Sequence, residues 1–323
     1  MTAPFPPAGD PVAIALGAAV RAPSPHNTQP WRFVAGADRI DVFLDTGRIL
    51  DVVDRDAREA RLSCGAAILN MRLALRAAGR SAIVHLLPSR ERHEHLGTVL
   101  VKGPCEPTPE ERALARAIGS RRSNRRPFTD RAVPPRIRQA LVHSAGYEGA
   151  QLVLLDRPAD LDALAALLRH AELLQSEDPR FKAELRSWTV DGGGRDDGVP
   201  RVAGGARPAP GSLLALRRWV DDAPERPYER EPLVAVLSSY TDTALAQVRT
   251  GQAMQRVLLT ATATGVSASF LSQPVEIAST RAALRRLLGG RAHPQAVLRF
   301  GYGFTAPATP RREPEKVTRR DMT

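Results

Sequence analysis

The stretch Arg21–Phe33, RAPSPHNTQPWRF, gathers three prolines, a histidine, an asparagine, a glutamine and a tryptophan in a chain otherwise rich in Ala and Arg. Amides and hydroxyls donate and accept hydrogen bonds without carrying charge, and prolines hold the backbone rigid. A second stretch, RRSNRRPF (Arg121–Phe128), sets guanidinium groups around a hydroxyl. Guanidinium forks match phosphate oxygens in pairs, so an anionic ligand is one reading. The other is the solvated basic end of a helix. His26 has the chemistry of a general acid, but its place after two prolines favours a loop-structuring role. His93 and His95, in RERHEH, have no third metal ligand nearby and read as a solvated turn.

These residues need elements to position them. The chain has 323 residues, 43% of them hydrophobic, enough to bury a sizeable core. Its net charge is +11, and Lys102, Lys182 and Lys316 are the only lysines. The arginine bias alone is a weak argument for nucleic acid. No reader motif is present, and 5% aromatic residues make a poor stacking platform, so a nucleic-acid partner is not expected. Cys64 lies in an apolar helical pattern and reads as a buried thiol. The start, MTAPFPPAGDP, lacks a basic and an apolar leader region, and no apolar run reaches the ~20 residues of a membrane span. A cytoplasmic globular protein with no membrane partner is expected.

The chain carries a hidden repeat. CGAAILNMRLALRAAG (Cys64–Gly79) and TGQAMQRVLLTATATG (Thr250–Gly265) share paired glycines at an offset of 186, and each reads as a long buried helix. Upstream, PVAIALGAAV then WRFVAG correspond to PRIRQALVHSA then AQLVLLD, a helix and a strand each time. The second half thus holds an insertion of roughly 66 residues after its first strand. That insertion includes the helical LDALAALLRHAELL, a Gly/Pro-rich tract expected to be mobile (Asp191–Gly211), and SLLALRRWVDD, which reads as a helix. Further strands are expected at SAIVHLL, GTVLVKG, LVAVLSSY, SASFLS and AVLRFGYG. Helices and strands do not alternate regularly, so the fold class is α+β. The joint falls near KGPCEPTPEE, giving halves 1–105 and 106–323 with the insertion at about 157–231. The terminal TRRDM reads as a frayed tail.

APSPHNTQPWRF resembles the signature segment of the FMN-dependent nitroreductase family, and RRSNRRPF resembles that family's Arg-x-Ser-x-Lys/Arg segment. GVSASFLSQPVE and LRFGYGFTAPATPRR are similar to its later Gly-rich segment and basic C-terminal tail. The duplicated arrangement with a lid-like insertion resembles the Acg-type branch. The resemblance implies two nitroreductase-like halves packed as a pseudo-dimer around long central helices, with a further homodimer left open. Ordinary members build each flavin site from one segment of each subunit. Here the first half keeps the NTQPW segment and the second half keeps RRSNR, while PFPPAGDPVAIAL and HSAGYEGAQLVLL replace the missing counterparts. One FMN site per chain is therefore implied.

By the same resemblance, Arg121, Arg122 and Ser123 would hold the FMN phosphate and ribityl oxygens, and Arg125 the N1–O2 edge of the ring. Arg311 and Arg312 would complete the phosphate clamp. Pro23, Ser24 and Pro25 would flank the ribityl and ring edge, and Asn27 and Gln29 would bond ligand or loop backbone. Trp31 is expected in the core. Ser269, Phe270, Leu271 and Ser272 would pass one ring face. The implied reaction is hydride transfer from NADH or NADPH to flavin N5, then to a small-molecule electron acceptor such as a nitroaromatic or quinone. It requires no catalytic side chain and no metal. The alternative is a non-catalytic flavin-sequestering protein whose lid denies access to the ring.

Overall fold

The protein is described by a computed structural model over residues 9–191 and 193–321. Most of the N-terminal stretch read as lacking a leader, and part of the segment replacing the first basic motif, fall on residues 1–8, outside that range. In chain order, α1 (Pro11–Ala19) leads to β1 (Trp31–Ala35), β2 (Arg39–Leu44), α2 (Arg58–Ala77), β3 (Arg80–Leu86), β4 (His95–Pro104), α3 (Pro109–Ser120) and α4 (Pro135–Tyr147). Then come β5 (Gln151–Leu154), α5 (Pro158–Glu177), α6 (Pro179–Ser187) and four two-residue strands: β6 (Thr189–Val190), β7 (Val199–Pro200), β8 (Arg207–Pro208) and β9 (Glu225–Arg226). The chain closes with β10 (Leu233–Ser239), α7 (Ala244–Ala263), β11 (Ser267–Phe270), α8 (Gln273–Glu276), α9 (Ala278–Leu287), β12 (His293–Gly301), α10 (Pro314–Val317) and β13 (Thr318–Arg320). No helix among the described residues is long and apolar enough to cross a membrane.

Local chemistry starts these helices. Asp10 caps α1, its carboxylate accepting from Val12 N at 3.0 Å, with Pro11 at the first turn. Thr108 and Glu111 form a reciprocal capping box at α3, as Thr-Pro-Glu-Glu predicts. At α2 the cap comes from outside the helix: the Asp54 carboxylate accepts from Glu59 N and Ala60 N, both at 2.8 Å.

Helices α2 and α7 cross at their glycines. A Cβ on Gly65 would lie 2.0 Å from the Val248 carbonyl oxygen, and one on Gly251 would lie 2.1 Å from that of Leu62. Only hydrogen fits there, so the backbones meet directly. The two approaches are reciprocal: Gly65 and Gly251, like Leu62 and Val248, stand 186 residues apart.

A mixed sheet of order β13-β1-β2-β4-β3 packs against α2, and an antiparallel sheet of order β11-β12-β10-β5 packs against α7. Trp31, Phe33 and Val42 from the first sheet share one core with Ile68, Val257, Leu237 and Phe300. Strand β10 is buried on both faces, which explains its continuous apolar run. Ala235 and Leu237 face the main core; Val234 and Val236 face a second core with Leu164 and Leu168 of α5.

Several expectations are corrected. Ser212–Asp221 is an irregular strap rather than a helix. Its residues serve different surroundings: Leu214 enters the second core, Arg217 pairs with Glu276, and Trp219 packs on His26. One helical face could not meet all three. Nor is the Gly/Pro-rich tract loose: Gly198 O accepts from Asn27 Nδ2 at 2.9 Å and Asp196 O from Gln29 Nε2 at 2.8 Å. Gly205, at φ +86°, passes so close that a Cβ would stand 2.4 Å from Arg125 O. The supposed frayed tail is β13, which pairs in parallel with β1 through Phe33 and Thr318, so the last strand joins the sheet of β1–β4. His95 leaves the RERHEH turn to become buried, its Nε2 2.9 Å from Asp41 Oδ1. Strand β2, Arg39–Leu44, was not anticipated from the sequence.

Candidate functional site

An open cavity lies between the two sheets' loops; its empty space of about 920 Å³ runs out into solvent. Pro23, Ser24 and Pro25 line one wall, Ser123 and Arg125 another, and Ser269, Phe270 and Ser272 a third. The tryptophan and arginine of the strap, Trp219 and Arg217, form part of its cover. Residues from four distant segments thus reach one space.

The polar stretch around Asn27 is a folded loop. His26, Asn27 and Gln29 adopt positive φ angles of 48°, 59° and 53°. Side chains hold that strain: Ser24 Oγ accepts from Gln29 N at 2.9 Å, and Asn27 Nδ2 donates to Pro310 O at 3.0 Å. Gln29 Oε1 accepts from Arg312 N at 2.9 Å. Asn27 and Gln29 therefore do not line the cavity. Their amides are spent tying this loop to the insertion and to the C-terminal segment. Trp31 is fully buried in the core, as expected.

The basic stretch docks on β11. Asn124 N donates to Ala268 O at 2.8 Å, and Ser123 bridges Ala268. Arg299, fully buried, holds the stretch from behind: it pairs with Glu229 at 2.9 Å and donates to Arg126 O at 2.8 Å. Glu229 in turn accepts from Phe128 N at 3.0 Å.

Arg121 is only 4% exposed, and its Nε and Nη1 are buried without a partner. Arg311 donates to Asn27 Oδ1 at 2.8 Å and to Thr309 and Pro310, but its Nε is equally orphaned. Among the described residues no carboxylate pairs with Arg21, Arg121, Arg122, Arg125 or Arg311. Burial pushes the Arg121 guanidinium down to about 10, with Arg122 and Arg125 adding repulsion. Arg311 falls to about 9 through burial and then through Arg121, Arg122 and Arg21. Arg121 and Arg311 remain cationic at neutral pH. Buried like charges without a counter-ion are costly, and a dianionic group placed among them would relieve that cost. The donors present therefore fit a phosphate.

Other expected residues stand apart. Arg122 is half-buried and turns to backbone carbonyls, Gly119 O at 3.0 Å and Arg121 O at 2.8 Å. The Arg312 side chain leaves the cluster and faces Asp45 at 4.0 Å, drawn by that carboxylate. Leu271 is fully buried in the second core, its N–H bonded to Val297 O. Arg125 stacks 4.6 Å over Trp219 and donates to Ala203 O, so the insertion holds it.

Two carboxylates of the cavity, each paired with an arginine, went unnoticed in the sequence. Glu59 and Glu276 both line the cavity. Arg217 reaches across from the strap to pair with Glu276, and its Nη1 lies 3.1 Å from His26 Nε2. Burial, then Arg217 and Arg125, hold His26 well below the usual imidazole range, so it is neutral and Nε2 accepts. His26 is thus a cavity residue as well as a loop former. The signal for Glu59 was present in DRDAREA, charges at the start of an apolar helix. Arg217 and Trp219 were hidden by the helical reading of the strap.

A Mycobacterium tuberculosis protein named "Putative NAD(P)H nitroreductase Rv3131" is 35% identical to this chain, covering 96% of it and 92% of the relative. The chain belongs to the Acg-type branch of the NAD(P)H nitroreductase family. The M. tuberculosis protein named "Putative NAD(P)H nitroreductase acg" is 33% identical over 95% of both chains. No family model matches the sequence. Two solved nitroreductases with bound FMN overlay part of this family member. That from Bacteroides fragilis is 14% identical and covers 60% of this chain and 90% of its own, at a TM-score of 0.38. That from Desulfitobacterium hafniense is also 14% identical, covering 61% and 94%, at a TM-score of 0.40.

Proposed function

We propose that this nitroreductase-family chain is an FMN-dependent NAD(P)H oxidoreductase that passes electrons to nitroaromatic, quinone or related conjugated acceptors. The observation that carries the reading is the set of buried, unpartnered nitrogens, Nε and Nη1 of Arg121 and Nε of Arg311, on segments that border the cavity lined by Ser123, Arg125 and His26. They would clamp the FMN phosphate, with Ser123 as a hydroxyl donor. Arg125 would sit at the ring edge where reduced flavin gathers negative charge, and Ser269, Phe270 and Ser272 would border the ring face. FMN, when bound, supplies the two-electron chemistry; the protein binds, orients and excludes water.

In this reading the halves, 1–105 and 106–323, pack as a pseudo-dimer and share a single complete site. The 186-residue offset between Gly65 and Gly251 at the helix crossing supports the duplication. The insertion at about 157–231 acts as the lid. A second reading is favoured by Arg217 and Trp219, which cover the cavity from the strap: the lid sequesters flavin and prevents turnover. Reconstitution with FMN followed by stopped-flow mixing with NADH or NADPH tests both. Bleaching of the flavin band and its return on adding a quinone support the oxidoreductase. Bound flavin that neither nucleotide reduces supports sequestration, and failure to bind FMN defeats both.

A further inference from the structure

The insertion grips Arg125 on several sides. The guanidinium stacks 4.6 Å over the Trp219 ring and donates from Nη1 to Ala203 O at 3.2 Å. The Arg125 carbonyl oxygen accepts from the Tyr228 hydroxyl at 2.8 Å, a proton shared with Ala206 O at 2.9 Å. Gly205 passes beside the same carbonyl, where no Cβ fits. Side chain and backbone are thus fixed by one segment, Ala203 to Tyr228.

Without that grip the guanidinium has reason to leave. Arg217 and Arg121 both repel it, and no carboxylate among the described residues pairs with it. A free Arg side chain in such a field turns toward water, where its charge is screened. Trp219 is itself held in place. Its ring and that of His26 meet edge-on at 5.0 Å and 75°, and a Cβ on Gly204 would stand 2.8 Å from the Trp219 Cβ. Arg125 and Trp219 both line the cavity, together with Ser269, Phe270 and Ser272 of the segment assigned to the ring face.

We propose that Trp219 and Tyr228 are positioning residues that hold the Arg125 guanidinium at the N1–O2 edge of the flavin, so that the insertion sets the reduction potential of bound FMN. This rests on the flavin-binding reading above, in which Arg125 meets that edge. FMN takes up two electrons and one proton at N5, and the negative charge that remains rests on N1 and O2. A cation already in place stabilises that charge without having to reorganise. Burial strengthens the effect, because little water is present to screen it. The lid and the redox chemistry are then coupled through one side chain.

The test measures the midpoint potential of FMN bound to wild type and variants, by dithionite titration against a reference dye. Trp219→Leu keeps an apolar side chain but removes the cation–π contact. Relative to oxidised FMN, it is expected to bind reduced FMN about tenfold less tightly, a fall of about 30 mV for two electrons. Trp219→Phe should restore most of the potential. Tyr228→Phe, which removes only a hydroxyl, should lower it in the same direction by less. In the Arg125→Gln background, Trp219→Leu should change the potential no further, because its effect runs through Arg125. A purely structural role would weaken oxidised and reduced FMN alike and leave the potential where it was. Wild-type potentials in both Trp219→Leu and Tyr228→Phe, or an equal fall for Trp219→Leu with and without Arg125, overturn the proposal. Failure of NADH and NADPH to reduce wild-type flavin would sink the oxidoreductase reading alone, since dithionite supplies the electrons here. Wild type that binds no FMN overturns both.

Discussion

At Arg121 the protein carries a buried cation with no anion of its own. Such a group is expected to cost stability in the empty protein and to contribute affinity when a phosphate arrives. Arg121→Met should therefore raise the thermal midpoint of the FMN-free protein. It should also weaken FMN by about 1.5–3 kcal/mol while leaving riboflavin little changed, because riboflavin lacks the phosphate. Calorimetric titration with both ligands and a melting scan check the pair; equal weakening of both ligands would mean that Arg121 does not meet the phosphate. Glu59 makes a second residue-scale prediction. Its folded value of about 8 lies above its ordinary 4.5, so the folded state holds a proton that the unfolded chain releases. The stability linked to that proton is whole below about 4.5 and is lost as pH rises through about 8. Denaturant melts of FMN-free Glu59→Gln should thus gain on wild type steadily between those limits, and a constant difference would contradict the shift.

At the scale of elements, the crossing of α2 and α7 is set by two glycines. Gly→Ala inside a helix ordinarily gains about 0.5–1 kcal/mol. At Gly65 the new methyl would meet a carbonyl oxygen at 2.0 Å, and a backbone group cannot step aside as a side chain can. Gly65→Ala is expected to destabilise by about 1–3 kcal/mol, whereas Gly119→Ala, with open space around its Cβ, should be neutral or stabilising. Urea melts of both variants give the comparison. The insertion offers the other element-scale test. Shortening 193–211 removes the carbonyls that bind Asn27 and Gln29 and the backbone that packs on Arg125. FMN affinity should fall by tenfold or more, through loss of the positive-φ loop, with the fold retained. Unchanged affinity in equilibrium dialysis would show that the loop keeps its shape unaided.

At the scale of the whole molecule, the polar loop comes from near the N-terminus and the paired guanidiniums from the middle and the C-terminal segment. Only one such combination exists among the described residues. Denaturing release of flavin from saturated protein should return one FMN per chain, and a ratio near two would defeat the single-site reading. The sequence by itself determined the long helices, the main strands, the NTQPW loop and the basic stretch, because each has a local cause: glycine spacing, caps, β-branched runs, prolines and clustered charge. It also showed two similar glycine-paired segments 186 residues apart. The tertiary structure alone decided which arginines share a counter-ion problem. Arg311 and Arg121 converge, while Arg312, one residue on, turns to Asp45. It decided that Asn27 and Gln29 bond backbone rather than line the cavity, since their partners lie at Gly198, Asp196 and Pro310–Arg312. It placed β13 beside β1 and drew Arg217 and Trp219 over the cavity against a helical pattern. Each of these outcomes depends on partners more than a hundred residues away, and a local pattern holds no record of where such partners fall.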